Sequence, residues 1–283
     1  MGKGWGKSAA DAGFGSSTDQ AGGLLGSDEP AAVELVNAGG VSPAVIVCDH
    51  ASNRVPRRLG TLGLDAESLA DHIAWDPGAA EVARRLSIDL DAPLVLSGYS
   101  RLVIDCNRPL GNAQSIAEHS AGIPVPGNHG LSPIDRAIRI DALFRPYHDT
   151  IAGLLDARSH RATLLLSIHS FTPFLDGRSR PWPVGVSYWR APDLAALLRR
   201  ELSANGQSMV GDNEPYPIDD AVDYTIPTHG EGRGLPSVMI EIRQDGVRTD
   251  ADVASWAARL SLAYRRIEAE ALCLSGAPAG RCV

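Results

Sequence analysis

Short apolar runs alternate with longer amphipathic segments along most of the chain. The short runs are rich in Val, Ile and Leu, and they predict buried strands. They are AVIVC at 44–48, APLVL at 92–96, RLVID at 101–105, ATLLLSI at 162–168, VGVSY at 184–188 and PSVMIEI at 236–242. Elsewhere apolar residues recur every three or four positions, which predicts amphipathic helices. These lie at 79–90, 133–158, 191–204 and 251–272.

Buried strands that alternate with helices indicate the α/β class. Near-continuous apolar strands need cover on both faces, which is typical of a parallel sheet. We therefore predict a single domain with a mixed, mostly parallel sheet that is flanked by helices on both faces.

The two ends of the chain lack this pattern. Residues 1–23 are rich in Gly and Ser and have no apolar period, so this segment buries too little surface to offset the entropy lost on ordering. We expect a disordered tail at 1–23, one domain at 24–272 and a flexible tail at 273–283.

Length, charge and cysteine content narrow the class of protein. A chain of 283 residues, 44% of them hydrophobic, can bury the core of one large domain. The net charge of −8 argues against nucleic acid or acidic membranes as partners, because such binding depends on clustered Lys and Arg. No run reaches the roughly 18 apolar residues of a membrane-spanning helix. The four cysteines lack CxxC spacing, so we expect no disulfide framework, no structural zinc knot and a reducing, cytoplasmic setting.

Polar side chains follow four of the predicted strands. They are Asp49 and His50, then Asp105, Asn107 and Arg108, then His169, and finally Glu241 and Arg243. In open α/β sheets the site lies at the carboxyl ends of the strands, so these side chains are expected at one edge. Two imidazoles and a carboxylate suit a zinc ion with an open position for water, and a further glutamate could accept the proton of that water. No nucleotide-binding GxGxxG or GxxxxGK[ST] and no GxSxG nucleophile elbow occurs.

Five segments, in order, resemble motifs of the N-formylglutamate amidohydrolase family, within the wider zinc carboxypeptidase and aspartoacylase superfamily. They are CDHASNRVP, HIAWDPGA, YSRLVIDCNRP, SIHSFTP and IEIRQD, between residues 48 and 245. The resemblance implies a zinc carboxypeptidase-like fold and an amidohydrolase domain at 24–272. It also implies a zinc-dependent hydrolase, with one zinc ion per chain, that cleaves a linear amide bond in a small N-acyl amino acid. The most familiar case is N-formyl-L-glutamate, which gives formate and glutamate in histidine breakdown.

The resemblance also implies metal ligands. His50 and His169 match the first and last zinc histidines of the superfamily. The superfamily's glutamate ligand falls at Asn53, whose neutral amide is a poor ligand for zinc. The best replacement is Asp76, with His72 one turn earlier on the same face if that segment is helical.

Other matched positions imply catalytic and substrate-binding roles. Glu241 matches the general base, and Arg101 matches the arginine that polarises the scissile carbonyl. Asn107 and Arg108 match a pair that grips the α-carboxylate of the substrate. A guanidinium suits this task because its planar fork can meet a carboxylate with two hydrogen bonds. Asp49 is expected to orient the neighbouring imidazole, or groups beside it, as an outer carboxylate.

Several of these residues have a structural alternative. Asp76 precedes Pro77, as a helix N-cap does. Glu241 lies in an apolar strand, where an unpaired carboxylate is costly, so it could form an ion pair with Arg243. Arg101, Asn107 and Arg108 could merely tie loops together.

The remaining polar positions are less specific. The loops at 211–217 and 228–234 could carry specificity contacts such as Asn213, Glu214 or His229, and His229 and Arg243 are further candidates for substrate binding. We expect the other histidines to be exposed to solvent and two of the cysteines to be core residues. The histidines are His119, His129, His148 and His160, and the cysteines are Cys48 and Cys106.

Three functions remain open at this point. The chain could be a zinc-dependent amidohydrolase of N-acyl amino acids, or an amidase for larger N-acyl or peptide substrates. The missing glutamate at position 53 also permits a catalytically silent zinc- or ligand-binding protein. A cysteine hydrolase is a more remote alternative. The acyl group, the third metal ligand and the oligomeric state are not specified by the sequence.

Overall fold

The computed structural model describes residues 23–175, 177–204 and 209–274. Seven strands in this part of the chain form one sheet, and four short strands form two separate hairpins. The strands are β1 (Val33–Val36), β2 (Ala44–Cys48), β3 (Leu94–Ser97), β4 (His119–Ser120), β5 (Ile123–Pro124), β6 (Leu164–Phe171), β7 (Phe174–Leu175), β8 (Arg178–Ser179), β9 (Val184–Ser187), β10 (Val210–Asp212) and β11 (Ser237–Arg243). The α-helices are α1 (Ala66–Ala70), α2 (Ala79–Leu90), α3 (Pro133–Arg139), α4 (Arg145–Asp156), α5 (Asp193–Leu202) and α6 (Asp250–Leu274).

The large sheet has the strand order β1-β3-β2-β6-β11-β9-β10. Its centre is parallel, since β3, β2, β6 and β11 pair with one another in the parallel sense. Antiparallel pairs join β1 to β3 and β9 to β11. The predicted mixed, mostly parallel sheet is confirmed, and its central strands carry their carboxyl ends to one edge.

Helices cover both faces of the sheet, as predicted. In β2, Ala44, Ile46 and Cys48 pack into a core with α2, α5 and α6. The alternate residues Val45 and Val47 pack on the other face, with side chains of α4. Because successive side chains of a strand point to opposite faces, a wholly apolar strand is buried from both sides.

Two predicted elements differ in the structure. The run RLVID at 101–105 is not a strand but a series of turns, and Val103 and Ile104 pack into a separate apolar cluster beside the sheet. The apolar residues of this run are therefore buried in a loop, and the pattern of apolar residues alone cannot distinguish such a loop from a strand. The predicted helix at 133–158 contains a π-helical segment at Ile140–Phe144, just before Pro146, which has no N–H to donate.

The remaining predictions concern the two tails, the cysteines and membrane-spanning helices. Residues 1–22 and 275–283 of the predicted tails lie outside the described residues, and α6 continues to Leu274, into the second of these tails. Cys48 and Cys106 are buried free thiols, as expected for core residues. Among the described helices, none has the length and apolar character needed to cross a membrane.

Candidate active site

Two histidines lie side by side at the carboxyl edge of the sheet. His50 follows strand β2 by two residues, and His169 lies near the end of β6, the neighbouring parallel strand. Each is only 2% exposed, and their ring centres are 4.9 Å apart. The parallel pairing of two buried strands therefore fixes both imidazoles, as the sequence predicted from the strand ends.

The carboxylate of Asp76 lies beside both imidazoles. Its Oδ2 atom lies 2.8 Å from Nδ1 of His169 and 3.4 Å from Nδ1 of His50. Its backbone N–H donates to the carbonyl of His50, which fixes the chain at this point. Helix α2 begins later, with Gly78 as its N-cap, so the alternative of a capping role for Asp76 is wrong.

The outer nitrogen of each imidazole donates to a second carboxylate. Nε2 of His50 is 2.7 Å from Oδ1 of Asp105, and Nε2 of His169 is 2.9 Å from Oδ2 of Asp49. With neutral rings, the proton is then on Nε2 and the lone pair is on Nδ1, directed towards Asp76. This arrangement of carboxylate, histidine and inner ligand is the one that orients metal-binding histidines in proteins.

The donor set fits a divalent metal ion. The ligand atoms of His50, Asp76 and His169 all lie within 4.8 Å of one another. Two imidazole nitrogens and a carboxylate oxygen are the ligands of many catalytic zinc sites, in which water takes the remaining position. These three residues could therefore hold a metal ion.

The two alternative ligands are engaged elsewhere. The side-chain amide of Asn53 donates to the carbonyl of Leu69 at 2.9 Å. His72 pairs with Asp71 at 2.7 Å, and its segment consists of turns rather than a helix. Its ring lines the cavity but does not belong to the cluster of three ligands.

The electrostatics of this buried cluster favour a cation. Burial opposes ionisation, yet hydrogen bonds and charge interactions with the two histidines hold the pKa of Asp49 and of Asp76 well below the ordinary value. Burial likewise opposes protonation of His169, but the same two carboxylates raise its pKa well above the usual range. Carboxylates that stay ionised while buried attract positive charge, which a proton or a metal ion can supply.

Glu241 lies directly opposite His169 in the register of β11 and β6. It is buried, and its Oε2 atom has no hydrogen-bond partner among the described residues. Burial raises its pKa to about 7, with a further contribution from Asp76, although the histidines and Arg101 oppose the shift. The alternative of an ion pair with Arg243 is wrong, because that guanidinium pairs with Asp245 at 2.8 Å.

Arg101 is held beside the histidine cluster. Its Nε and Nη2 atoms donate to Oδ2 of Asp105 at 3.1 and 2.7 Å. Its Nη1 atom is 3.5 Å from Oδ1 of Asp76. The guanidinium is thus fixed by the carboxylate that also orients His50.

Asn107 and Arg108 contact the loop that precedes residue 226. The Asn107 side chain accepts from the backbone N–H groups of Tyr224 and Thr225 and donates to Asp223 at 3.0 Å. Nη1 of Arg108 donates to the same Asp223 oxygen at 3.0 Å. Both residues therefore tie loops together, as the structural alternative expected.

One cavity of about 270 Å³ unites most of the predicted site. Its lining includes the three candidate ligands together with Glu241, Arg101, Asn107 and Arg108. Asn107 and Arg108 therefore also face the cavity. The loop at 211–217 contributes Tyr216 and Pro217 to the wall, whereas Asn213 accepts from the backbone of Tyr188.

The structure places two predicted substrate-binding residues away from this cavity. Arg243 donates to the carbonyls of Arg180 and Pro181 as well as to its acidic partner, and it does not line the cavity. His229 is buried and lies 3.0 Å from Nδ1 of His148. Neither side chain can therefore contact a substrate in this cavity without a rearrangement.

The predicted solvent exposure of His148 is wrong. Its Nε2 atom donates to the carbonyl of Cys106 at 2.9 Å, and its ring stacks on His229. The other three histidines of that group are exposed, as predicted; they are His119, His129 and His160.

One candidate role was not predicted from the sequence, and the partner of a second was left open. Asp105 orients both His50 and Arg101, although only its place at the end of an apolar run marked it. Asp49 contacts His169, on the neighbouring strand, rather than the adjacent His50. A side chain that follows a strand reaches across the sheet edge, so its sequence neighbour need not be its partner.

Comparisons with known proteins identify the family of this chain and relatives of its fold. Residues 42–247 match the N-formylglutamate amidohydrolase family. Gene product Atu2144 from Agrobacterium tumefaciens is 36% identical, with a TM-score of 0.82 over 87% of this chain and 99% of that one. N-formylglutamate amidohydrolase from Ralstonia eutropha JMP134 is 19% identical and shares the fold, with a TM-score of 0.62 over 86% of this chain and 98% of that one. No curated protein matches the chain. The predicted family resemblance is confirmed.

Proposed function

Because the chain belongs to the N-formylglutamate amidohydrolase family, we propose that it is a metal-dependent enzyme that hydrolyses the amide of an N-acyl amino acid. N-formyl-L-glutamate is the proposed substrate, and formate and glutamate are the products. The observation that carries this proposal is the meeting of three candidate ligands and Glu241 in one cavity. The resemblance further supports a place in histidine breakdown. A cytoplasmic location is proposed on the cysteine spacing alone.

We assign the metal site to His50, Asp76 and His169, with one zinc ion per chain. Zinc bound there would lower the pKa of a water molecule and polarise the acyl oxygen. The outer carboxylates Asp49 and Asp105 hold the imidazoles in the required orientation.

Glu241 has the properties of the general base. Its carboxyl is buried, has an oxygen free of hydrogen bonds, and has a pKa raised to about 7, close to the pH at which most enzymes work. It accepts a proton from the attacking water while the water oxygen bonds to the acyl carbon. When the C–N bond breaks, the same carboxyl returns that proton to the leaving amine. Water is consumed, and a carboxylic acid and a free amino acid are formed.

Arg101 and Arg108 supply positive charge to the substrate. Arg101, fixed by Asp105, would stabilise the negative charge that develops on the acyl oxygen. Arg108 uses only Nη1 in its hydrogen bonds to Val222 and Asp223, so its other donors remain available for the α-carboxylate. Asn107 holds the adjoining loop in place.

A substrate panel tests the proposal directly. The purified enzyme would be incubated with N-formyl, N-acetyl and longer N-acyl derivatives of several amino acids, with zinc or with a chelator. We expect zinc-dependent release of formate from N-formyl-L-glutamate. Binding of zinc without turnover of any substrate would favour the catalytically silent alternative, and turnover of long acyl or peptide substrates alone would favour the larger amidase.

A further inference from the structure

Arg180 is a buried cation without an ionic partner. It is 6% exposed, and its Nη1 and Nη2 atoms are buried without a hydrogen bond of ordinary geometry to a described residue, although the neutral hydroxyl of Tyr216 interacts with the guanidinium. No described carboxylate forms an ion pair with it. Its backbone is fixed, because its N–H donates to Pro173 and its carbonyl accepts from Arg243, both at 2.9 Å. An uncompensated buried charge is costly, so such a group calls for a ligand.

The guanidinium does not itself line the catalytic cavity but lies directly behind two aromatic rings of its wall, so a substrate carboxylate would reach it between those rings. Its central carbon is 5.6 Å from the ring centre of Phe171 and 4.8 Å from that of Tyr216. Both rings line the cavity. Burial raises the pKa of the Tyr216 hydroxyl, and the charge of Arg180 and a hydrogen bond with it oppose the shift. Tyr216 lines the same cavity as Glu241 and Arg101.

The two rings compensate the charge only in part. They attract the face of the guanidinium, whereas its N–H donors point outward in its plane. A neutral hydroxyl does not cancel the positive charge. A planar carboxylate matches both the charge and the forked donors.

We propose that Arg180 determines substrate specificity by binding the side-chain carboxylate of an acidic N-acyl amino acid. This inference rests on the proposed function, in which Arg108 holds the α-carboxylate. Arg108 belongs to the turn segment after residue 100, whereas Arg180 follows the β7–β8 hairpin, so two separate chain segments would hold the two carboxylates. A substrate with a neutral side chain would leave Arg180 buried and unpaired.

The test compares two substrates that differ in one charge. kcat/KM is measured for N-formyl-L-glutamate and N-formyl-L-glutamine with the native enzyme and with Arg180→Met. We expect the variant to lose about 100-fold or more on the glutamate substrate and less than about 3-fold on the glutamine substrate. Arg178→Met, an exposed arginine on the same hairpin, is the matched control and should match the native enzyme on both. Equal losses on both substrates would overturn the proposal.

Thermal melting separates recognition from a structural role. Arg180→Met removes an uncompensated buried charge, so its melting temperature should equal or exceed the native value. A marked fall in melting temperature together with equal kinetic losses would assign Arg180 to the fold. Arg180→Lys keeps the charge and loses the fork, so it should recover part of the activity on the glutamate substrate.

Calorimetry makes the inference independent of turnover. Glutarate carries two carboxylates and butyrate one, and both can be titrated into the native protein and Arg180→Met. We expect the native protein to bind glutarate more tightly than the variant does, with no such difference for butyrate. If glutarate shows this difference but no N-acyl amino acid is hydrolysed, the proposed reaction fails and the carboxylate site stands. If glutarate binds both proteins equally, the carboxylate site fails.

Discussion

Glu241 and His169 are paired residues on adjacent parallel strands, so the proposed base and a proposed metal ligand are joined by the register of the sheet. Paired residues of neighbouring strands point to the same face. A shift of one residue would turn Glu241 away from the cavity. The proposed catalytic geometry therefore depends on the pairing of two buried strands.

The metal assignment predicts loss of metal from His50→Ala and His169→Ala. Each substitution leaves one imidazole and one carboxylate, which are too few ligands for tight zinc binding. Metal content per chain, measured by atomic emission, should fall from about one to near zero while circular dichroism stays native. His160→Ala, at an exposed position, is the control. Full metal content in both variants would show that the site lies elsewhere.

The base assignment predicts that Glu241→Gln loses activity but keeps its metal. Glutamine retains the shape of the side chain and cannot accept the proton, so kcat should fall by about 100-fold or more. Steady-state kinetics and metal analysis of the same sample check this. Glu67→Gln, on the exposed part of α1, should change neither. An active Glu241→Gln would remove this residue from the mechanism.

The α-carboxylate contact predicts a selective defect in Arg108→Lys. Lysine keeps the charge and loses the planar fork. The activation free energy that corresponds to kcat/KM for N-formyl-L-glutamate should therefore rise by an amount on the order of 2 kcal/mol or more. A substrate with an amidated α-carboxylate should be poor for the native enzyme and lose little further in the variant. Arg108 also donates a hydrogen bond to Asp223 in the neighbouring loop. Equal losses of kcat/KM on the acid and on the amidated substrate would therefore mean that Arg108 only supports this loop.

The buried histidine pair predicts loss of stability in acid. Burial lowers the pKa of His148 to about 3 and that of His229 to about 4. Both values lie below the value near 6.5 of the unfolded chain, so this contribution to stability is complete above about pH 6.5 and is lost as the pH falls towards 4. Between about pH 6.5 and pH 5 the loss should approach roughly 2 kcal/mol for each histidine.

Urea denaturation of the native protein and of His148→Gln at several pH values checks this. Glutamine does not titrate, so the variant should show a smaller decrease in unfolding free energy over this interval. His160→Gln should behave like the native protein, because that side chain is exposed. Identical pH dependence in all three proteins would mean that the buried pair does not govern acid stability.

The sequence specified the positions of His50, His169 and Glu241 because each lies at or near the end of an apolar strand. Such positions follow from local patterns, since the carboxyl ends of parallel strands meet. Asp105 was harder to assign, because an apolar run that packs in a loop has the same composition as a strand. The burial of His148 and Arg180 depends on contacts between distant segments, and no local pattern records those contacts.

A chain of hydrogen bonds connects the loop beside the proposed substrate site to a proposed metal ligand. The Asn107 side chain accepts from the N–H of Thr225, whose hydroxyl donates to Asp49 at 2.6 Å. Asp49 in turn accepts from His169. If the loop carrying Thr225 were rebuilt for a different substrate, Asp49 would lose a partner and the imidazole that it holds would gain freedom. We therefore expect pocket shape and affinity for the proposed metal to be linked, so redesign of the pocket should begin outside the loop that carries Thr225.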